Sequence, residues 1–139
     1  MARGLKTLIK INEWNVEQKQ RKLGDILRLI DSLETQARLL EEELVREQAA
    51  AAASPEEAGF IYGNYADAVI HRRERLEQSI VQAEVEADAA REELGEAYRD
   101  LKKFETAQAN REAMVAKELA RKEQITLDEV GLQGYLQRR

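Results

Sequence analysis

From Leu23 to Leu44 the chain reads LGDILRLIDSLETQARLLEEEL. Leu23, Ile26, Ile30, Leu33, Ala37, Leu40 and Leu44 recur at alternating steps of three and four. That alternation is the signature of a helix with one apolar seam, the a and d positions of a heptad. Extended toward the N-terminus, the rows take in Leu5, Ile9, Asn12, Val16 and Lys19, and they end at Glu47. Asn12, Lys19 and Glu47 are the polar interruptions, and polar groups at such positions set register or face a partner. Beyond Glu47 lies the run Ala49 to Ala53, then Ser54-Pro55-Glu56-Glu57. Ser54 suits an N-cap, Pro55 the first helical turn, and Glu57 the far corner of a capping box. The break predicts the start of a second helix.

The second helix repeats the rule. One row is Tyr62, Val69, Leu76, Ala83, Ala90, Ala97 and Phe104, and the other is Ala66, Arg73, Ile80, Ala87, Leu94, Leu101 and Gln108. After Phe104 the order decays, with Met114, Val115 and Leu119 apolar but Arg111, Glu118 and Lys122 falling in the old register. The fold class expected is all-α, a long antiparallel two-helix coiled-coil hairpin with an overhanging C-terminal helix. One domain spans 1–139, with helix one over about 3–50, a bend over about 51–55, helix two over about 55–124 and a weakly ordered tail over 125–139. Gly131 and Gly134 make that tail poor helix. Folding near residue 53 sets Leu40 beside Ala66, Ile30 beside Leu76 and Leu23 beside Ala83. Gly24 and Gly95 interrupt the helices as tolerated defects or as soft points for a bend.

Composition agrees. The chain has 139 residues, 35% of them charged and only 5% aromatic, too few bulky groups for a thick globular core. It lacks cysteine, which excludes disulfides and thiolate metal sites and fits a reducing compartment. No apolar run reaches the roughly 20 residues of a membrane span. Lys6, Lys10, Asn12 and Glu13 break up the N-terminal stretch, so no signal peptide is expected and the cytoplasm is the default.

Chemistry is sparse. His71, the one histidine, lies among Arg72, Arg73 and Glu74 without a ligand set or triad. Glu84/Asp88 and Glu92/Glu96 are spaced four apart on a helix face, where solvation is their usual fate. Gly59 and Gly63 bracket Phe-Ile-Tyr without the Lys-Ser/Thr of a phosphate loop. The expectation is a protein that is not an enzyme and has no cofactor or metal.

Charge is uneven. Residues 1–22 carry a net +4, residues 23–101 a net −11 and residues 102–139 a net +2. A hairpin brings both basic parts to one end, suited to electrostatic steering toward an acidic partner. The acidic shaft would repel nucleic acid. Phe60, Ile61, Tyr62 and Tyr65 cluster beside the bend, with Leu40 and Leu44 across from them. They either seal the end of the seam or leave an anchor patch exposed, since one seam cannot take all four. Trp14 lies off both rows, and it joins Met114, Val115 and Leu119 as apolar surface a partner could bury.

The start Leu5-Lys6-Thr7-Leu8-Ile9-Lys10, the break near residue 54, the Tyr62/Tyr65 spacing, and the run from Leu101-Lys102-Lys103-Phe104 through Ala120-Arg121-Lys122-Glu123 to Leu127-Asp128-Glu129 resemble the FliJ family of bacterial flagellar export proteins. The resemblance covers nearly the whole chain. The Ala49–Ala53 run and the glycine-containing tail depart from it. It implies a stalk like that of rotary ATPases, with a terminal end that enters the ring of the flagellar export ATPase. The tip would meet the cytoplasmic domain of the export gate protein, and the chain would escort export chaperones. It would work in the cytoplasm at the inner face of the cell membrane, without inserting, and would be a monomer in isolation. On that reading the tip residues are Leu40, Leu44, Phe60, Tyr62 and Tyr65. The ATPase-facing residues are Lys6, Lys10, Trp14, Arg111, Val115, Leu119, Arg121 and Lys122. The alternative is a structural coiled coil that self-associates through its C-terminal overhang. A membrane-surface helix is a third reading, disfavoured by the acidic shaft.

Overall fold

The computed structural model describes residues 2–53 and 55–138, and side chains outside residues 1–3, 54–60 and 139. Helix α1 spans Ala2–Ala53 and helix α2 spans Pro55–Arg138. No strand occurs among the described residues, and the two helices pack against each other as an all-α hairpin. Packing divides the chain into two compact units. One comprises Met1–Val16 with Ala97–Arg139, the other Glu17–Glu96.

In the Glu17–Glu96 unit the buried apolar residues are Leu40, Val69, Ala83, Ala87 and Ala90. In the other unit they are Val16 and Ala97. All seven belong to the heptad rows read from the sequence. The remaining row positions are half-buried, save Glu47, which is exposed. Large residues dominate the α1 seam and alanines the α2 seam. Alanine removes little apolar area from water but lets two backbones approach closely.

The register differs from a fold centred on residue 53. Across the hairpin Arg73 bonds Glu41, Arg72 approaches Glu43, and Lys22 bonds Glu93. These pairs slide α2 by about one heptad relative to that centre, so Leu40 stands level with Arg73 and Leu76 rather than Ala66. At the turn, Ala50 and Ala51 line a hollow with Ile61, Tyr62 and Tyr65. The capping reading of Ser54 and Glu57 lies outside the described side chains.

A second difference concerns the C-terminus. The sequence predicts a weakly ordered tail over 125–139, yet α2 runs to Arg138 through Gly131 and Gly134. Each glycine costs about 1 kcal/mol relative to alanine, but extending an existing helix is far cheaper than nucleating one. Local links also help: Gln124 donates to Asp128 at 3.0 Å, and the Thr126 hydroxyl donates to the Lys122 carbonyl at 3.0 Å. Every residue from Ala109 to Gln133 is exposed.

Gly24 lies within continuous α1, with φ in the ordinary helical range. A Cβ there would meet only the flexible end of Arg28, at 3.4 Å. Gly24→Ala is expected to stabilise the chain by about 1 kcal/mol, read as a higher urea midpoint at unchanged slope. A lowered midpoint would mark Gly24 as a position the fold needs to keep open.

Candidate functional site

Of the polar residues that interrupt the seams of the Glu17–Glu96 unit, the cations Lys19 and Arg73 are each answered from the facing helix, while Glu47 is exposed. Lys19 reaches the Glu93 carboxylate at 3.3 Å, and Lys22 shares the same oxygen at 3.1 Å. Arg73 forms a fork on Glu41, with Nε to Oε1 at 2.6 Å and Nη2 to Oε2 at 2.9 Å. Bidentate geometry makes that pair the more directional of the two. Partly exposed ion pairs contribute little stability, but a polar seam residue that finds its partner in only one alignment fixes register.

The hydrogen bonds from Lys22 and Lys19 hold the Glu93 carboxyl below its ordinary range. A depressed carboxyl contributes stability that is full above its unfolded pKa of about 4.5 and fades as pH falls through the folded value. Thermal melts are therefore expected to separate the parent chain from Glu93→Gln above that pH and to bring the two together as pH falls below it. The parent loses stability on acidification, and the variant starts lower and changes less. Parallel curves would remove the clamp from this role.

At the turn, the rings of Tyr62 and Tyr65 lie 6.4 Å apart with an interplanar angle of 39°. Both are half-buried. The Tyr65 hydroxyl oxygen is enclosed, with the Glu43 carboxylate beside it. Burial raises its pKa first, and the carboxylates of Glu43 and Glu47 add to the rise. Ile61 is 70% exposed, so the turn does present apolar surface. Leu44 is half-buried. Leu40, expected at this surface, is only 2% exposed, because its seam position points at α2. The side chain of Phe60 lies outside those described.

In the unit of Met1–Val16 and Ala97–Arg139, Lys6, Lys10 and Trp14 follow at four-residue steps on one face of α1. All three are exposed, Trp14 by 62%. Ile11 and Leu8 extend this apolar surface, and the sequence reading passed over both. Ile11 falls on neither heptad row, and that was the available signal. On α2, Arg111, Val115, Leu119 and Lys122 share a second face, all exposed. Val115 and Leu119 prolong the stripe of Leu101, Phe104 and Gln108 with nothing over them. Arg121, beside them, is engaged by Glu118 at 2.6 Å. Asn12, the polar seam residue here, donates to the Leu8 carbonyl of its own helix at 2.7 Å.

The model of the family described as flagellar FliJ protein matches residues 1–139. The chain belongs to the FliJ family. Flagellar FliJ proteins of two Caulobacter vibrioides strains, NA1000 / CB15N and ATCC 19089 / CIP 103742 / CB 15, are each 28% identical to it over 132 residues. Those alignments cover 95% of this chain and 94% of the relatives. No solved structure matches. FliJ membership makes this a flagellar protein and supports a role in the flagellar export apparatus, among its structural and export components. Among the described residues of this FliJ-family chain, no helix is long and apolar enough to cross a membrane. No three His, Asp or Glu side chains among them gather as a metal site requires.

Proposed function

We propose that this FliJ-family chain is a non-enzymatic stalk and adaptor of flagellar protein export, coupling the export ATPase ring to the export gate and escorting export chaperones. The observation that carries the reading is the uncovered stretch of α2 from Ala109 to Gln133. It keeps an apolar stripe, Val115 and Leu119, between the cations Arg111 and Lys122. An unpartnered amphipathic helix of this kind suits insertion into a groove or ring of another protein. The face of Lys6, Lys10 and Trp14 offers the same mixture of cation and large apolar group. Both belong to the ATPase-facing surface on this reading. The turn supplies the gate-facing surface through Ile61, Tyr62 and Tyr65. The place of work is then the cytoplasmic side of the cell membrane, reached through partners rather than insertion.

The same uncovered helix favours a second reading, self-association through the C-terminal overhang. Sedimentation with mass determination separates the two, since the adaptor is a monomer in isolation and the self-assembling protein a stable dimer. The adaptor reading further expects Tyr62→Ala with Tyr65→Ala to weaken binding to the cytoplasmic domain of the gate protein. ATPase binding and helicity stay near parental values. Loss of most of the circular-dichroism signal would instead assign the tyrosines to the core, and unchanged gate affinity would remove them from the interface.

A further inference from the structure

The two sides of the hairpin within Glu17–Glu96 are not alike. On one side the helices leave a groove floored by Leu33, Leu40, Leu76 and Ala83. Its α1 lip carries Leu29 and Leu39, which are 47% and 51% exposed. Three arginines stand over it: Arg46, Arg72 and Arg75. Residues 23–101 hold 8 basic side chains against 19 acidic, whereas the groove sets these three arginines against Glu43 and Glu86, a local reversal of the prevailing sign. Arg72 approaches Glu43 at the long distance of 3.9 Å. Arg46 and Arg75 have no ion pair among the described residues, although acids are plentiful on this unit. On the other side the hollow near Leu27 and Ile30 carries one cation, Arg91, and Asp88 holds it at 2.9 Å.

We infer that the groove over Leu33 and Leu40 receives an acidic amphipathic helix of a partner protein as the third helix of a local bundle. Leucines at heptad spacing on that helix would cover Leu29 and Leu39. Flanking carboxylates would meet Arg46 and Arg75. From Leu29 to Arg46 the groove follows α1 for about 26 Å, the length of some 17 helical residues. Exposed leucines between unpaired cations ask for that pairing, because an apolar ligand alone leaves the arginines unused and a charged one alone leaves the leucines wet. The surface is separate from the turn and from the uncovered part of α2, so this inference stands apart from the stalk reading.

The chain has no cysteine, so a single Gln36→Cys can carry an environment-sensitive fluorophore on the groove wall. A second labelled variant, Glu84→Cys, reports the other side. The probe is a synthetic helix of about 20 residues with leucine at heptad positions and glutamate flanking them. Titrated into the full chain, it is expected to blue-shift the label at position 36 and leave that at 84 unchanged. Arg46→Glu with Arg75→Glu is expected to weaken binding about ten-fold or more, and Leu39→Glu to a similar degree. Arg91→Glu should have no effect. All four substituted side chains are exposed, so far-ultraviolet circular dichroism should match the parent. Equal binding of a peptide with lysine in place of every glutamate would overturn the inference. So would an equal response at position 84. A shift of the position-36 label on concentrating the chain alone, with doubled mass in sedimentation, would give the groove to a second copy and overturn it too.

Discussion

Leucine in place of Ala87 destabilises the chain by about 1–3 kcal/mol in urea unfolding, whereas leucine at neighbouring Ala89 changes little. Ala87 is 1% exposed and faces α1, between the equally enclosed Ala83 and Ala90. Ala89 is exposed on the same helix. Alanine and leucine have nearly equal helix propensity, so the difference between the two sites reports the seam alone. The added isobutyl group has no void to fill, and the helices must part or the side chain must leave its rotamer. With so few fully buried residues, parting the helices at one level uncovers a large share of the core. If both leucines prove neutral, the close approach of α1 and α2 along the alanine row is wrong.

The second large effect concerns binding. Trp14→Ala is expected to reduce affinity for the export ATPase by about ten-fold or more, the scale of an aromatic anchor at the centre of an interface. Val115→Glu with Leu119→Glu should do the same from α2, by setting carboxylates where apolar contact is needed. None of the three residues is buried, so stability should hold within about 0.5 kcal/mol. Lys6→Glu with Lys10→Glu should act differently, slowing association and flattening its salt dependence more than it hastens dissociation. Surface plasmon resonance on the assembled ATPase at two ionic strengths distinguishes the patterns. Parental affinity in both the tryptophan and the double-glutamate variants would leave the ATPase-facing assignment without support.

The seam was legible in the sequence because burial follows a period of seven, and every row position but Glu47 is shielded. Register was not, for the same reason: sliding one helix by a heptad lays the same rows against each other. The information sat in the polar exceptions. A fold centred on residue 53 would set Lys19 against Ala87 and Arg73 against Leu33. The structure gives them Glu93 and Glu41. Asking where each seam cation finds a carboxylate would have placed the turn correctly. The end of α2 was misjudged because glycine counts against a helix residue by residue, while extension from an 84-residue helix is cooperative. Of the surfaces, Trp14 followed from its misfit to the rows, and Val115 and Leu119 from the decay of the pattern past Phe104. Leu40 did not, because a place near the turn says less about exposure than a place on the seam.

From Ala109 to Gln133, α2 is held only by its own backbone bonds and a few side-chain links. A solitary helix of that length is marginal in water. Its amides should therefore take up deuterium in a gradient, slowest beside Gln108 and fastest beyond Gly131, while those near Ala87 resist. A partner that clamps this stretch has to freeze that breathing before it gains any contact. Its affinity then carries the thermal signature of helix ordering, a steep enthalpy and a loss of grip on warming.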